Sequence, residues 1–209
     1  MRKKEKAKIL MVHNYYQLAG GEDTVVENEK KLLEDNGHEV ILYFRHNAEI
    51  KQMNILQKFL LPINSIFNIK TYWDIKRILK EESIDIVHVH NTLHLISPAV
   101  YYAAVKCDVP VVQTIHNFRF LCPNGIFYRD GHICEECVSK GLKCAVKNKC
   151  YRDSRLQTAI CVISMWLHRH TGILGKINYI CLTEFNKEKI LQLKYIDSSK
   201  VYVKPNFSF

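Results

Sequence analysis

Short apolar runs alternate with longer amphipathic stretches along almost the whole chain, and this alternation limits the fold more than any other feature. The apolar runs predict strands over residues 9–12, 40–44, 84–90, 109–115, 179–183 and 201–203. Amphipathic periodicity between them predicts helices over residues 21–36, 73–82, 97–106, 154–171 and 184–193. Strands joined by helices of this length are typical of a parallel sheet covered on both faces. We therefore expect an α/β fold, a Rossmann-like three-layer domain with a mainly parallel sheet.

The composition supports one domain. With 209 residues, of which 47% are hydrophobic, the chain can bury a full core. No Gly/Ser-rich linker divides it, although the region from Ala48 to Lys70 is weakly patterned. We expect a single domain over residues 1–205 that includes a Cys-rich loop at 117–150. The sequence shows neither a membrane-spanning run nor a signal peptide.

The formal net charge of +9 points to an anionic partner, such as a phosphorylated substrate, anionic lipid headgroups or nucleic acid, with a soluble basic protein as the equal alternative. The eight cysteines, without a secretion signal, indicate a reducing compartment, so we expect a cytoplasmic protein. The helix over 154–171 is apolar on most of its circumference and then becomes basic. We favour a buried crossover helix. The alternative is peripheral contact with the inner membrane surface, which Trp166 would suit.

A glycine pair, Gly20 and Gly21, stands between the first strand and its helix. Backbone without side chains can approach a ligand closely, and N–H groups at a helix start can face an anion. The pattern is neither G-x-G-x-x-G nor a P-loop. A tight turn without ligand stays open as an alternative, because Glu22 and Asp23 in the first turn would repel phosphate unless they are turned aside.

Polar residues cluster where strands end. Three strands each end in, or contain, a His-Asn pair, and in a parallel sheet those ends share one edge, where open α/β folds bind their ligands. This convergence predicts a functional site. Its candidate residues are His13, Asn14, Asn91, His94, His116 and Asn117, with His88 and His90 on the third strand.

A cysteine cluster follows the fourth strand. Cys134 and Cys137 form a C-x-x-C pair that can close on one metal ion, and two thiolates from flanking loops would complete a tetrahedral zinc site. We predict Cys122 and Cys150 as those two, with Cys144 as substitute. A site of four thiolates is structural rather than catalytic. Reduced thiols without metal are the alternative.

Taken together, these motifs resemble the N-terminal half of a GT-B glycosyltransferase of the retaining, glycogen-synthase-like (group 1) type. The resemblance covers nearly the whole chain and depends on the order and spacing of its motifs. The motifs are Gly20-Gly21, His88-Val-His-Asn91, Val109-Pro-Val-Val-Gln-Thr-Ile-His116, Cys122-Pro, Cys134-Glu-Glu-Cys137 and Val203-Lys-Pro-Asn206.

The resemblance implies half of a GT-B fold and a set of roles. Gly20 and Gly21 would approach the diphosphate of a nucleotide-sugar donor, and His116 would reach the transferred sugar as the catalytic residue. The acceptor, a glycan or a lipid-linked sugar, would be bound by His13, Asn14, Asn91, His94 and Asn117. Lys204-Pro-Asn206 resembles the hinge to the second domain, which would start at 206–209. Transfer with retention and without a catalytic metal is implied as well.

The chain ends at Phe209, where the family's donor domain would begin. We therefore expect little or no transferase activity from it alone, and a missing C-terminal domain or separate subunit as its partner. A non-catalytic acceptor- or partner-binding subunit is the alternative. A zinc-containing nucleic-acid-binding domain is a remote one, because basic residues are not arrayed with stacking aromatics, so we expect no nucleic acid partner.

Overall fold

A six-stranded sheet organises the chain. The computed structural model describes residues 6–18 and 20–207. Its strands are β1 (Lys8–Tyr15), β2 (Glu39–His46), β3 (Ile86–Asn91), β4 (Val111–Ile115), β5 (Tyr128–Arg129), β6 (His132–Ile133), β7 (Asn178–Cys181) and β8 (Val201–Val203). Strands β5 and β6 form a separate hairpin, and the others pair in the order β2-β1-β3-β4-β7-β8. Pairs β1/β2, β1/β3 and β3/β4 are parallel, so the predicted Rossmann-like α/β fold is confirmed.

Helices follow the strands as the periodicity predicts. They are α1 (Gly21–Asp35), α2 (Glu49–Gln52), α3 (Ile55–Ile66), α4 (Ile69–Glu81), α5 (Ala99–Lys106), α6 (Glu136–Ser139), α7 (Lys143–Lys147), α8 (Arg155–His170) and α9 (Glu184–Ile190), with 3-10 turns at Ile173–Lys176 and Ser198–Lys200. The weakly patterned region 48–70 contains α2 and α3, which sequence periodicity missed. Helix α3 turns most of its apolar side chains to solvent, so no core-facing stripe marks it.

The chain divides into two compact units. Unit 1 comprises residues 1–114, 177–179 and 205–209, and unit 2 comprises residues 115–176 and 180–204. The organisation predicted over 1–205, with a hinge from 206, stays a prediction. Residues 1–5 of the predicted domain and residues 208 and 209 of the predicted hinge lie outside the described residues.

The core of unit 1 surrounds the first and third strands. Residues 9–12 of β1 are all buried, as the continuous apolar run of a two-sided parallel strand requires. Helix α4 adds Ile75 and Leu79, and α5 adds residues such as Tyr101. The Tyr101 hydroxyl donates to Gln113 Oε1 over 2.6 Å, which satisfies the hydroxyl inside the core.

Unit 2 contains the Cys-rich segment. The segment 117–150, predicted as a loop, holds the β5/β6 hairpin and the short helices α6 and α7. Its buried apolar side chains include Leu121, Phe127 and Ala145. Further support is polar, because Arg169 Nη2 on α8 donates to the Phe120 carbonyl over 2.6 Å.

Helix α8 differs from the buried crossover helix that the sequence favoured. Only Thr158 and His168 are buried along it, and Leu156, Ile163 and Trp166 are exposed. The expectation of a buried helix was wrong, since its apolar residues are spread around the circumference and only a narrow side faces the unit. Among the residues described, no helix is long and apolar enough to cross a membrane.

Candidate functional site

The end of β1 is tied to the start of α1 by a buried histidine and aspartate. His13 Nε2 lies 2.7 Å from Asp23 Oδ1, and the second carboxylate oxygen of Asp23 accepts the backbone N–H of Gly20 over 3.0 Å. Asp23 is only 5% exposed, so its carboxylate points into the protein. The pKa of His13 is lowered by burial, which outweighs the opposing effect of Asp23. The imidazole is therefore neutral around pH 7.

The contact between His13 and Asp23 bears on whether an anion can bind at the start of α1, where Glu22 and Asp23 would repel it if they faced outward. Asp23 is turned aside, as a phosphate near the helix start would require, while Glu22 lies within 3.4 Å of the Tyr16 hydroxyl. Gly20 and Gly21 are exposed, and a Cβ at either position would meet nothing within 4 Å. The backbone of Gly20 is extended, a conformation open to any residue. Neither the fold nor the backbone angle of Gly20 requires this glycine, and the surface in front of the pair is open.

Asn14 and Asn91 hold the loop that follows β3. The Leu95 N–H donates to Asn14 Oδ1 over 2.9 Å, and Asn91 Nδ2 donates to the Asn14 carbonyl over 2.8 Å. Asn91 Oδ1 accepts the N–H of Leu93 over 3.0 Å. Both amides are buried. They therefore position the half-buried His94 on this loop, and their direct contact with an acceptor stays a prediction.

Asn68 fixes the same loop from the start of α4. Its Nδ2 donates to the Leu95 carbonyl over 2.6 Å, and its backbone N–H donates to Ser97 Oγ over 2.8 Å. Its Oδ1 also caps α4 by accepting the N–H of Thr71. Sequence reasoning did not select Asn68. An Asn at a helix start is the available signal, since this residue type caps helices.

A buried acid and two histidines form a second polar group in unit 1. Between Val12 and His13 the pairing of β1 with β3 shifts by one residue, so that His13 pairs with Asn91 and His90 forms a bulge. Glu29 Oε2 lies 3.3 Å from His90 Nε2 and 3.8 Å from His88 Nε2. The three candidate ligand atoms lie within 4.8 Å of one another, close enough for one metal ion or for a buried ion pair.

Sequence reasoning named the two histidines but missed Glu29. The carboxylate occupies the core-facing side of α1 with Val26, three residues earlier, and is only 4% exposed. An acid at an apolar position of a helix was the signal, because such residues are rarely buried without a partner. His88 Nε2 also lies 2.8 Å from Thr114 Oγ1, which links this group to β4.

His116 and Asn117 belong to unit 2, where they begin the Cys-rich segment. Both are half-buried. The Asn117 side chain accepts the N–H of Arg119 over 3.1 Å, which shapes the turn after β4. His13, Asn14 and Asn91 thus lie together within unit 1 at the end of β1 and β3, and His94 follows on the loop after β3.

Two of the four thiols predicted as metal ligands meet in unit 2. Cys122 contacts Cys137, and Cys144 Sγ donates to Cys137 Sγ over 3.7 Å. A hydrogen bond with the Cys137 thiol, together with the N–H groups of Gly125, Asn124 and Phe127, lowers the pKa of the Cys122 thiol to about 6, although burial raises it. Cys150 lies beside Arg129. All eight cysteines of the chain are free of disulfides.

Comparison with known proteins assigns the chain to a family. Residues 19–143, more than half of the chain, match the family described as Glycosyltransferase Family 4. The chain belongs to Glycosyltransferase Family 4. The matched range contains the glycine pair, Asn91, His116 and Cys137, and it ends before Cys150. The resemblance seen in the sequence is thereby confirmed.

Relatives of this Family 4 chain are longer than it is. A Klebsiella pneumoniae protein described as an uncharacterized 42.6 kDa protein in the cps region is 25% identical over 181 residues, which make up 84% of this chain and 42% of that protein. The solved S. aureus MnaA–UDP structure has a TM-score of 0.51 and 15% identity, and the match covers 96% of this chain and 44% of MnaA. The likeness to MnaA shows the fold alone. The chain spans less than half the length of each.

Proposed function

We propose that this Family 4 chain is the acceptor-side half of a glycosyltransferase that transfers a sugar from a nucleotide-sugar donor to a glycan or lipid-linked acceptor, with retention of configuration. The observation that carries the proposal is the family match over residues 19–143, which includes an open glycine turn beside the inward-turned Asp23. The relative from a cps region supports a role in polysaccharide synthesis. Most donor-binding groups would come from a further domain or a separate subunit.

The glycine turn and His116 would act on the donor. Small residues at positions 20 and 21 let a diphosphate approach the first turn of α1, where the helix dipole favours negative charge. Because Asp23 faces His13 instead of solvent, it adds less repulsion than an exposed acid would. The imidazole of His116 could donate a hydrogen bond to a hydroxyl of the transferred sugar.

The acceptor would lie against the loop after β3. Asn14, Asn91 and Asn68 pin this loop by hydrogen bonds to its backbone, so the half-buried His94 is presented from a fixed support. Fixed positioning of an acceptor hydroxyl is a large part of what a transferase must supply. The buried asparagines would act as positioning residues.

Product formation by the protein encoded by the whole gene tests this function. Nucleotide-sugars would be incubated with membrane lipid extract or glycan acceptors, and the product's anomeric configuration would be read by NMR. We expect transfer with retention, no increase in rate with added Mg²⁺ or Mn²⁺, and loss of turnover in His116→Ala. Inversion, or full activity in His116→Ala, would reject this assignment. A chain that binds acceptor without any transfer would be a non-catalytic subunit.

The glycine turn has its own test. Gly21→Val introduces a β-branched side chain at the exposed first position of α1, and we expect a raised KM for the donor. Glu184→Val, a valine at the exposed first position of α9, is the matched control. Equal donor KM values for both variants would remove the donor role of the glycine.

A lipid-linked acceptor is supported by the surface of α3. Ile55 is 89% exposed and Phe59 75%. Leu56 and Ile63 are exposed too, and Lys51 and Lys58 lie in and beside this helix. Apolar side chains flanked by lysines are the composition that binds an anionic membrane interface. Peripheral contact with the cytoplasmic side of the inner membrane would bring the site to such an acceptor.

Vesicle flotation tests the membrane contact. We expect the chain to float with vesicles containing phosphatidylglycerol and not with phosphatidylcholine alone, and Phe59→Ser to abolish flotation. Trp166→Ser on α8 is the matched control, since Trp166 is also an exposed aromatic residue. Loss of flotation in Trp166→Ser alone would assign the contact to α8 instead.

A further inference from the structure

We propose that Glu29, His88 and His90 form a metal site in the core of unit 1 and hold one Zn²⁺ ion there. The site is separate from the proposed transfer of sugar, and the ion would have a structural role. The proposal depends on the distances between the side-chain atoms, on the chemistry of the three residues and on the elements that they join.

The three side chains present their ligand atoms at the spacing of a metal site. These atoms all lie within 4.8 Å of one another. Glu29 Oε2 lies 3.3 Å from His90 Nε2 and 3.8 Å from His88 Nε2. Oxygen and nitrogen ligands bind Zn²⁺ tetrahedrally at about 2.0–2.2 Å, which places neighbouring ligand atoms about 3.4 Å apart. Small side-chain movements would therefore bring all three atoms onto one ion.

Another histidine and carboxylate in unit 1 show the spacing of a direct bond. His13 Nε2 lies 2.7 Å from Asp23 Oδ1, within the about 2.7–2.9 Å that is typical of a hydrogen bond to an ionised group. Both distances from Glu29 Oε2 to the imidazole nitrogens are longer than this. An ion among the three atoms fits such a spacing better than a direct bond from the carboxylate to either ring.

The residue types suit a transition metal. Two imidazoles and one carboxylate are a recurrent set of three protein ligands for Zn²⁺, and imidazole favours transition metals over Mg²⁺ or Ca²⁺. Glu29 is 4% exposed, His90 3% and His88 9%. Buried charges in proteins are paired or bind metals, and Zn²⁺ would neutralise the carboxylate without a proton on either histidine. Because the ligands are buried, the ion would lie in the core and stabilise it.

The site would join a helix to the sheet. Glu29 lies on the core-facing side of α1, and His88 and His90 are two residues apart on β3, so that both point to the same face. Their ring centroids are 4.3 Å apart. The ion would therefore fix α1, whose first turn contains the glycine pair, against a central strand.

The Thr114 hydroxyl competes with a metal for one ligand atom. Thr114 Oγ1 lies 2.8 Å from His88 Nε2, which is a hydrogen-bond distance. Coordination uses the lone pair of this nitrogen, so the hydroxyl would have to turn away from it. Thr114→Val replaces the hydroxyl by a methyl group. We expect this variant to bind Zn²⁺ at least as tightly as the wild-type chain.

X-ray absorption at the zinc edge gives the main test, because it distinguishes this site from thiol ligands. The reduced wild-type chain would be purified without chelators from zinc-supplemented cells. Nitrogen and oxygen ligands lie at about 2.0–2.2 Å from Zn²⁺ and sulfur at about 2.3 Å. We expect about one zinc per chain with nitrogen and oxygen ligands and with the scattering of imidazole rings. A zinc environment of sulfur alone, or less than about 0.2 zinc per chain bound by nitrogen and oxygen, would overturn the proposal.

Variants test the ligand assignment. His90→Gln and Glu29→Gln should each remove about one zinc per chain. The matched controls are His132→Gln, at an exposed histidine, and Glu34→Gln, at a surface acid of the same helix, and both should keep it. Unchanged zinc content in His90→Gln and Glu29→Gln would overturn the site, and weaker binding in Thr114→Val would overturn the ligand set.

The absorption spectrum keeps the test valid if a variant does not fold, because it is recorded on the wild-type chain. Circular dichroism identifies any variant that is unfolded, and zinc loss in such a variant would not be counted. None of these measurements depends on transferase activity, so the metal site and the proposed function stand or fall separately.

Discussion

The strand-end site of unit 1 and the Cys-rich segment of unit 2 are ordered by different means. In unit 1, buried polar side chains such as His13 and Asn14 attach to strands that a large apolar core already fixes. In unit 2, the segment 117–150 has short elements and few buried apolar side chains, and its thiols cluster instead. A site at a sheet edge is therefore held rigid by the core beneath it, whereas an insertion needs interactions of its own to stay ordered.

Within unit 1, Glu29 is expected to give the largest effect of a single substitution. Glu29→Gln removes the carboxylate that lies near His88 and His90, and the loss of a hydrogen bond to a charged group costs up to about 3 kcal/mol. Urea unfolding followed by circular dichroism measures the loss. Glu34→Gln is the control, since Glu34 pairs with Lys30 at the surface and should change stability little. A loss below that of Glu34→Gln would show that the buried carboxylate does not stabilise unit 1.

Asn91→Ala should have a smaller and more local effect. It removes the donor to the Asn14 carbonyl and the acceptor for the N–H of Leu93, at a cost of about 2 kcal/mol. We expect faster exchange of residues 92–97 and weaker acceptor binding without loss of the sheet. Asn124→Ala is a control in unit 2, because its side chain donates to a carbonyl near the surface. Unchanged exchange at 92–97 would contradict the positioning role of Asn91.

The smallest expected effect is a loss of stability of unit 1 on acidification, through His13. The folded-state pKa of His13 is lowered by burial, so the unfolded chain binds a proton more readily than the folded one. The contribution of His13 to stability is therefore complete above the unfolded pKa near 6.5 and is lost as the pH falls through that value. His13→Gln should flatten the decline in Tm between pH 7 and pH 5. A decline as steep as in the wild-type chain would assign the acid sensitivity to other groups.

The sequence predicted the strands, the main helices and the meeting of His13, Asn14 and Asn91, because apolar periodicity and parallel topology determine all three. It missed α3, whose apolar side chains face solvent and follow no core-facing pattern. It also missed Glu29, since one acid inside an amphipathic helix is a weak local signal. The contacts among distant thiols depend on the folded course of 117–150, which spacing alone does not determine.

Both carboxylate oxygens of Asp23 bind groups inside the protein, so the start of α1 is held without help from its exposed residues. One oxygen is directed at His13 and the other at the N–H of Gly20, so the first turn of α1 is anchored from beneath. Gln17, Leu18 and Gly21 take no part in that anchor. Replacing these exposed residues by loop grafting should therefore change which ligand the turn binds and leave the fold intact. Ligand recognition and fold stability depend on different side chains here.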